Sequence, residues 1–383
     1  MEWKEVRLGD IATMQYGKLA PQKKDAGNVP IFTGYKNVGY TDKINCNKNT
    51  IVVVARGVGG CGDVKITNED CYLTNLAISV SLNAQFCVPM FFYYLHQLEN
   101  LSILNSGSAQ PQITIESLTK YSFRIPSLDD QRRIVTVLSS LDRKIELNNK
   151  INADLEEMAQ AIFKNWFVDF EPFKDGKFVD SELGMIPEGW KVGRLDEIAD
   201  VVGGSTPSKA KPEYYTQNGI AWLTPKDLSN HPAVYSSRGE IDITEEGYNS
   251  TSTKLMPKGT VLFTSRAPIG YISIAQNDIC TNQGFKSLVP KKAGTCFLYC
   301  FLKYVTPEIE NKSTGSTFKE ASGSLMKSLQ VIIPEQNVFE EFEAIVSPLF
   351  TRIESLEKEN SRLSLLRDTL LPRLMSGELE LPE

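Results

Sequence analysis

The sequence predicts an α+β protein: two mixed α/β domains separated by an antiparallel pair of long coiled-coil helices, arranged as a pseudo-twofold internal repeat. Three observations support this prediction. The chain has 383 residues, enough for two or more domains. Landmarks of its first half return in the same order in its second half. In each half, a segment with strand-like patterns precedes a segment with a heptad pattern.

The internal repeat consists of short matched motifs that keep their order along the chain. The spacing between the copies is 187 positions for Trp3 and Trp190, and 208 positions for Ile125 and Ile333. The matched pairs are Trp3-Lys4 with Trp190-Lys191, Arg56 with Arg266, Thr74-Asn75 with Thr281-Asn282, and Ile125-Pro126 with Ile333-Pro334. Chance does not supply an ordered series of this kind, so the chain contains two copies of one half.

The repeat, together with the change of pattern inside it, divides the chain into predicted segments. Apolar runs such as 51–54 and 259–263 are typical of strands, and loops rich in Gly, Asn, Ser and Thr connect them. After each Ile-Pro, the apolar period changes to that of a helix. The segments are a first mixed domain at 1–125, a central helical region at 126–170, a linker at 171–189, a second mixed domain at 190–333 and a C-terminal helical region at 334–383.

Both helical regions carry apolar residues in alternating steps of four and three, which is the seam of a coiled coil. The first seam runs from Ile134 to Trp166, and residues displaced by 208 positions form the second. Asn152 and Asn360 occupy the same seam position in the two copies. Because a buried amide is costly without a partner, we interpret these asparagines as fixing the register of an antiparallel helix pair near its crossing centre.

Two residues disturb the seam of the second copy. Arg367 stands where the first copy has Ala159, and it interrupts the apolar stripe. Pro372 has no backbone N–H and is expected to kink or end the second helix, with Leu374 beyond its regular part. The pattern therefore leaves the packing near this end of the helix pair open.

Composition limits the class of protein. The chain has no run of about 18 apolar residues, and its first residues lack the apolar stretch of a signal peptide, so a cytoplasmic protein without a membrane span is expected. The seven cysteines are scattered and are expected to be reduced core thiols. Because the chain has only two histidines, a zinc site is not expected.

The net charge of −6 is unevenly distributed along the chain. Residues 1–122 contain 11 basic and 10 acidic groups, and residues 190–328 contain 16 and 13. Residues 334–383 contain 5 basic and 11 acidic groups. Neutral to basic domains on acidic helical regions are compatible with DNA binding, although they do not require it.

Two related domains at a fixed separation suit a protein that reads a split DNA site, because both must enter grooves on the same side of the duplex. Identical domains would read a palindrome. Here the domains share landmarks but differ in the loops between them, so an asymmetric bipartite target is expected. The helices would then set the number of unread base pairs between the half-sites.

Base reading needs hydrogen-bonding side chains on exposed loops, beside cations that hold phosphates. The DNA-binding candidates of the first domain are Lys18, Tyr35, Lys36, Arg56, Gln110 and Gln112. Those of the second domain are Ser205, Thr206, Ser208, Lys226, Arg266, Ser316, Thr317 and Lys319. Arg56 and Arg266 are the strongest candidates, because each follows a predicted strand and precedes a glycine-containing turn. Gln110 and Gln112 suit bidentate contacts to adenine. For any single loop, a solvated turn is an equally good interpretation.

Several motifs of the chain resemble those of the specificity subunits of Type I restriction–modification systems, and the resemblance extends over essentially the full length. The motifs are WKEVRLGDIA at 3–12, MIPEGWK at 185–191, GSTPS at 204–208, IAWLTPKDL at 220–228, TSRAPIG at 264–270 and LLPRLMSGEL at 370–379. Each motif alone is moderately specific. Together, in order and duplicated, they identify the chain as a member of this family.

The resemblance implies two target-recognition domains, one for each half-site, joined by helical regions that also dock two methyltransferase subunits. It further implies a complex with restriction subunits that act as motor and nuclease, and methylation of an adenine on each strand of double-stranded DNA. S-adenosylmethionine would be carried by the methyltransferase, and ATP and Mg by the restriction subunit. This chain would bind no cofactor or metal and would contain no catalytic residue.

Two alternatives belong to other classes of protein. A self-contained DNA-modifying enzyme would need an Asn-Pro-Pro or similar catalytic motif, which the sequence lacks. Its glycine-rich loop at 57–62 precedes another predicted strand rather than a phosphate-binding helix. The other alternative is a non-catalytic coiled-coil adaptor that binds proteins. Salt-dependent, sequence-selective binding of the assembled complex to a DNA duplex would distinguish a DNA reader from an adaptor.

Overall fold

The computed structural model describes residues 2–24, 26–57, 60–106, 110–266, 268–313 and 319–381. The chain forms two compact units, each with its own hydrophobic core. Unit 1 comprises the described residues up to Ile145 and from Arg362 onward, and unit 2 comprises Glu146–Ser361. Each unit therefore combines one of the mixed segments with parts of both helical regions.

Unit 1 is built on short β-strands. They are β1 (Lys4–Arg7), β2 (Ala12–Tyr16), β3 (Val29–Phe32), β4 (Asn37–Thr41), β5 (Ile51–Val54), β6 (Val64–Ile66), β7 (Tyr72–Leu73), β8 (Ala77–Leu82) and β9 (Ser122–Ile125). Strands β2, β8, β5 and β6 form an antiparallel sheet in this order, and β3 pairs with β4 and β7. Every residue of β5 is buried, as its continuous apolar run requires.

Unit 1 contains short helices and the first part of a long helix. They are α1 (Leu8–Ile11), α2 (Pro89–Leu98), α3 (Ile115–Lys120) and the first part of α4 (Leu128–Phe167). Pro89 occupies the first turn of α2, where its missing N–H costs nothing. At the start of α3, Thr114 Oγ1 accepts a hydrogen bond from the Ser117 backbone N–H at 3.1 Å. Phe91 and Phe92 of α2 are fully buried in the core of the unit.

Unit 2 contains a longer series of strands. They are β10 (Phe178–Val179), β11 (Ile186–Pro187), β12 (Lys191–Arg194), β13 (Ala199–Gly203), β14 (Tyr215–Thr216), β15 (Trp222–Leu223), β16 (Tyr235–Ser236), β17 (Asp242–Ile243), β18 (Val261–Ser265), β19 (Ile269–Ala275), β20 (Cys280–Thr281), β21 (Lys286–Pro290) and β22 (Gln330–Ile333). The main sheet has the order β13-β21-β18-β19-β16. A separate parallel pair joins β15 to β20.

Unit 2 buries an aromatic core between its sheet and its helices. Its helices are α5 (Pro225–Asn230), α6 (Glu245–Asn249), α7 (Thr295–Lys312) and α8 (Gly323–Ser328), together with the second part of α4 and most of α9 (Gln336–Ser376). The last turns of α9 belong to unit 1. The ring of Phe167 in α4 packs edge-on against the rings of Phe297 in α7 and Phe342 in α9, with distances between ring centroids of 4.9 Å and 5.1 Å. This cluster fixes α4, α7 and α9 to one another within the unit.

In each of the two mixed segments, the first strand pairs with the last, and we call this the closing strand pair. In unit 1, β1 pairs antiparallel with β9 and sets Lys4 opposite Ile125. In unit 2, β12 pairs antiparallel with β22 and sets Lys191 opposite Ile333. The paired residues belong to the matched motifs that mark the two ends of each copy. The sequence repeat is therefore a repeat of structure, and each closing pair leads directly into a long helix.

Asparagines join the two long helices within unit 2, and Asn360, one of the two matched seam asparagines, takes part in this contact. Asn148 donates from Nδ2 to Asn360 Oδ1 at 2.8 Å and to Glu359 Oε2 at 2.9 Å. Asn360 in turn donates to Asn149 Oδ1 at 2.8 Å. Asn152, its matched counterpart, makes no bond to Asn360 among the described residues.

The register of the antiparallel helices explains this difference. Asn152 lies one turn beyond Asn148 on α4, so it comes level with Leu356, which lies one turn before Asn360 on α9. Leu356 is fully buried, and the buried Asn152 Oδ1 has no hydrogen-bond partner in the described part of the chain. Equivalent positions in two antiparallel copies meet only at the crossing point itself, so each matched asparagine faces a different residue.

Arg367 forms part of a polar network within unit 1. Its Nη1 donates to Asp142 Oδ1 on α4 at 2.9 Å, and Tyr94 of α2 donates its hydroxyl proton to Asp142 Oδ2 at 2.6 Å. The arginine that interrupts the apolar seam thus has a carboxylate on the facing helix. Burial and the neighbouring carboxylate raise the pKa of Tyr94 well above its ordinary value, which keeps the phenol protonated as a donor.

Of the two outcomes expected at Pro372, a kink or an end of the second helix, the end is wrong. Helix α9 continues to Ser376, and Leu374, expected beyond its regular part, is fully buried. Leu371 and Met375 pack into the same core of unit 1. Burial of these apolar side chains offsets the backbone hydrogen bond that proline removes.

In unit 2, two further carboxylates link α7 to α4 and the segment at β16 to α9. Tyr299 of α7 donates to Glu156 Oε1 of α4 at 2.7 Å, and Lys303 forms an ion pair with the same carboxylate. Glu357 of α9 accepts from the backbone N–H groups of Val234 at 2.7 Å and Tyr235 at 3.0 Å. Burial raises the pKa of Glu357 to about 7, against the opposing effect of these two donors.

Candidate nucleic-acid interface

In unit 1, predicted DNA-binding loops meet at one turn, residues 74–77, which we call the unit 1 Thr-Asn turn. The Asn75 N–H donates to the carbonyl of Lys18 at 2.8 Å, and the Arg56 N–H donates to the carbonyl of Leu76 at 3.1 Å. Gly17 N–H donates to the carbonyl of Ala77 at 3.0 Å. The loops that follow β2 and β5 are therefore held side by side around this turn.

The other candidates of unit 1 lie next to the same turn. Gly34 has a φ of +85°, and a Cβ at this position would lie 2.8 Å from Cβ of Ala77, so the loop that carries Tyr35 and Lys36 packs closely on the turn. Gln112 forms an antiparallel bridge with Arg56, and Gln110 is exposed just before it. The structure thus brings the six candidates of the first domain into one region. Within this region, Tyr35 is a large side chain with 62% of its surface exposed.

In unit 2, residues 281–284 form the corresponding unit 2 Thr-Asn turn. Ser205 N–H donates to the carbonyl of Thr281 at 3.0 Å, and the hydroxyl of Thr206 donates to Gln283 Oε1. The Ser265 N–H donates to the carbonyl of Gly284 at 2.7 Å, which places the neighbouring Arg266 at the same turn. Again, loops that are distant in sequence meet at a matched Thr-Asn pair.

A matched glycine allows the close approach in each unit. A Cβ added to Gly17 would lie 2.1 Å from the carbonyl oxygen of Thr74. A Cβ added to Gly204 would lie 2.2 Å from the carbonyl oxygens of both Thr281 and Asn282. Any side chain at either position would push the loop away from its turn, so glycine is required for packing, not for a positive φ.

The remaining candidates of the second domain are less closely connected to the turn. Lys226 is exposed on α5 and forms a 3.5 Å ion pair with Glu240. Ser208 is exposed on the loop after Gly204, and Lys319 Nζ donates to the carbonyl of Glu310 in α7 at 3.3 Å. Ser316 and Thr317 lie outside the described residues.

The charge around the unit 2 Thr-Asn turn is partly neutralised. Arg266 and Lys286 share the single carboxylate of Glu320, at 3.7 Å and 3.6 Å. Two cations facing one carboxylate leave a net positive charge. In unit 1, Lys18, Lys36 and Arg56 are all exposed. Both regions are therefore electrostatically suited to phosphate groups.

Sequence reasoning missed the residues at the tips of the two turns. Leu76 is 38% exposed, and Gln283, displaced by 207 positions, is exposed in unit 2. The Thr-Asn pairs that precede them are visible as landmarks of the repeat. Nothing local in the sequence indicates that the other loops gather around them.

The family of the chain follows from comparison with known proteins. The family model of the Type I restriction modification DNA specificity domain matches residues 1–157 and 187–365. The match includes both mixed segments and most of both long helices. The chain therefore belongs to the Type I restriction–modification DNA specificity family.

Relatives in two organisms carry the same description. The chain is 40% identical over 190 residues to the MjaIX specificity subunit of Methanocaldococcus jannaschii, a match that covers 49% of this chain and 44% of that relative. It is 27% identical over 365 residues to the HindI specificity subunit of Haemophilus influenzae, covering 78% of this chain and 79% of that protein. In the first of these matches the chain thus spans under half of its relative's length.

A solved structure supports the fold over nearly the whole chain. The Type I restriction–modification S subunit from M. genitalium has a TM-score of 0.64 at 20% identity, with 98% of this chain and 96% of that chain covered. The predicted family and fold class are confirmed. In the described part of the chain, no helix is both long and apolar enough to cross a membrane.

Proposed function

We propose that this chain reads an asymmetric, bipartite sequence in double-stranded DNA, with unit 1 reading one half-site and unit 2 the other. The observation that carries the proposal is the convergence of candidate loops on the matched Thr-Asn turns. Each turn brings hydrogen-bonding side chains together with cations on an exposed surface. Base reading requires this combination, because cations position the duplex on the protein and the polar or apolar side chains at the turns distinguish the bases.

Shared and differing residues have different roles in this proposal. Residues that are identical in both units cannot distinguish two half-sites, so Arg56 and Arg266 contact the DNA backbone. Residues that differ at matched positions, such as Leu76 and Gln283, contact base edges. A leucine offers only apolar contact, as to a thymine methyl group, whereas a glutamine side chain suits bidentate bonding to adenine.

The helical regions have a separate role in this proposal, which concerns the spacing of the half-sites and the binding of partner subunits. We infer that α4 and α9, of 40 and 41 residues, set the number of unread base pairs and dock two methyltransferase subunits, through which the restriction subunits join. Exposed apolar residues on these helices, among them Leu147, Met158 and Leu365, support a role in protein contact. Adenine methylation and DNA cleavage are then carried out by the partners, which hold S-adenosylmethionine, ATP and Mg.

The proposal is tested by reconstituting the chain with the methyltransferase subunits of its system and S-adenosylmethionine on DNA of random sequence. Sequencing the methylated adenines is expected to yield two different half-sites at one fixed spacing. Methylation without a common sequence would exclude DNA reading by this chain. A palindromic target would contradict separate roles for the two units.

A further inference from the structure

Cys46 and Cys71 form a pair that the DNA-reading function does not use. They face each other across an isolated antiparallel bridge, in which each backbone N–H donates to the other's carbonyl, at 3.1 Å and 2.8 Å. Residues paired in this way have Cα atoms about 5.5 Å apart. Most disulfides span about 4.4–6.8 Å between Cα atoms and about 3.5–4.5 Å between Cβ atoms, so the Cα separation lies in range and the two Cβ atoms must approach for the bond to form.

The side chains of the two cysteines also meet. Both sulfur atoms lie in one small apolar cluster with Val52, Leu73 and Ala77, apart from the main core of unit 1. The Cys46 thiol donates a hydrogen bond to the carbonyl of Asn47 at 3.9 Å, and the neighbouring Cys71 thiol lowers the pKa of Cys46 to about 7. One member of the pair is therefore suited to form the thiolate and the other to resolve the product of its oxidation.

The pair is buried but lies directly beneath the surface. Cys46 is 5% exposed, and the residues on either side of it, at 42–45 and 47–49, are exposed. Local opening of this surface segment gives access to the sulfur without unfolding of the main core.

We propose that Cys46 and Cys71 are a dithiol oxidation site, at which a peroxide converts the two thiols into an intramolecular disulfide. The Cys46 thiolate attacks one peroxide oxygen, the O–O bond breaks, and Cys46 becomes a sulfenic acid while water is released. The Cys71 thiol then attacks this sulfur, forms the S–S bond and displaces a second water. Two thiols lose two protons and two electrons, and hydrogen peroxide is reduced to two molecules of water.

The link would brace the strand that leads to the unit 1 Thr-Asn turn. Asn45 already holds this strand, since its Nδ2 donates to the carbonyl of Leu73 at 3.0 Å and its Oδ1 accepts from the Leu73 N–H at 2.6 Å. The disulfide would add a covalent bond beside these contacts, immediately before Thr74. It also closes a loop in the unfolded chain, which stabilises the folded state.

The full-length chain contains a matched internal control. Cys296 and Cys300 are equally buried and lie one turn apart on α7. Burial is the main cause that raises the pKa of both, so neither forms a thiolate readily. Helix geometry separates their side chains along one face, and a disulfide there would distort the helix.

The experiment is titration of the folded, full-length chain with hydrogen peroxide, followed by alkylation of free thiols and peptide mass spectrometry. Two of the seven thiols are expected to be lost, in a linked peptide pair containing Cys46 and Cys71 that is lighter by two hydrogen atoms. The oxidised protein is expected to unfold at a higher temperature than the reduced one, and dithiothreitol is expected to reverse the shift. The C46S variant should keep its thiol at position 71 and show no such shift.

Three results would overturn the proposal. One is the survival of both thiols at peroxide concentrations that oxidise exposed methionines. Another is a link between Cys296 and Cys300 that forms as fast as the proposed one. The third is oxidation to sulfinic acid without a disulfide. The mass measurement on the unaltered chain remains decisive if C46S does not fold, and none of these results bears on DNA reading.

Discussion

At the scale of single residues, the chain places polar groups where each must be matched by a particular neighbour. Arg367 has Asp142, and Asn360 has Asn148 and Asn149. Glycine has an equally specific role, since Gly17 and Gly204 lie where a methyl group would collide with a backbone carbonyl. Such positions make single substitutions informative, because the adjacent residue often provides a control.

Substitution of Gly204 by alanine is expected to impair DNA reading by unit 2. The new Cβ would lie 2.2 Å from two backbone carbonyl oxygens, so the loop must move away from the unit 2 Thr-Asn turn. We expect about 10-fold or greater loss of affinity of the assembled complex for its target, as for the loss of one good base contact. Competition binding with duplexes altered in one half-site measures this effect.

The neighbouring glycine supplies the control. A Cβ on Gly203 would meet only the flexible side chain of Lys286, at 3.9 Å, so G203A should bind like the unaltered chain. Equal losses in G203A and G204A would show that the close approach at Gly204 is unimportant. Thermal unfolding of both variants separates lost binding from lost folding.

Glu357 is expected to make the stability of unit 2 depend on pH. Its pKa is about 7 in the folded chain and 4.5 without the fold, so the folded state binds the proton more tightly. The free energy of unfolding should therefore fall as pH rises from about 4.5 to about 7, by up to about 3 kcal/mol. In E357Q this part of the pH dependence should disappear, as measured by urea unfolding at several pH values.

A second carboxylate on the same helix provides the comparison for Glu357. Glu341 is exposed on α9, so E341Q should retain the pH dependence of the unaltered chain. If E357Q keeps the full fall in stability between these pH values, the buried carboxylate is not its source.

At the scale of secondary-structure elements, the long helices carry the most information. Each is continuous, and each follows a closing strand pair that the repeat reproduces. Their seams are polar at the asparagines of unit 2 and at Asp142 and Arg367 of unit 1, and apolar elsewhere. Polar pairs between the two helices allow few alternative registers, because a slip would separate these amides and charges from their partners.

Insertion of one heptad into both helices is expected to lengthen the spacer between half-sites. Seven residues add about 10 Å of helix, which corresponds to about three base pairs of duplex. Because a heptad preserves the seam, the half-sites themselves should not change. Mapping methylated adenines with the reconstituted complex gives both quantities, and altered half-sites with an unchanged spacer would contradict this role for the helices.

At the scale of the whole molecule, the two units share their closing strand pairs and Thr-Asn turns but differ in the residues exposed at those turns. We therefore expect each unit to read its half-site independently of the other. Substituting Leu76 by alanine should relax the preference in one half-site only, and substituting Gln283 by alanine should relax it in the other only. The change at Gln283 is expected to cost about 1–3 kcal/mol at the affected base pair, and the loss of one apolar contact at Leu76 is expected to cost less. The two variants are controls for each other, and a change in both half-sites from either one would contradict the division of roles.

The sequence by itself determined the duplication, the fold class and the family. These follow from local or ordered signals: motifs that recur in one order, apolar periods that change after each Ile-Pro, and strands such as β5 that are apolar throughout. The sequence also indicated most of the loops that meet at the Thr-Asn turns. Periodicity and residue type are properties of residues that are close in sequence, so they can be recognised without knowledge of the fold.

The tertiary structure alone decided which of these groups meet. Asp142 and Arg367 are 225 positions apart, and Asn148 and Asn360 are 212 apart. The register that pairs them depends on the packing of whole helices, as does the burial that lets α9 continue past Pro372. A contact between distant residues leaves no periodic trace in either segment. For this reason the sequence could predict seam asparagines and candidate loops, while their partners required the fold.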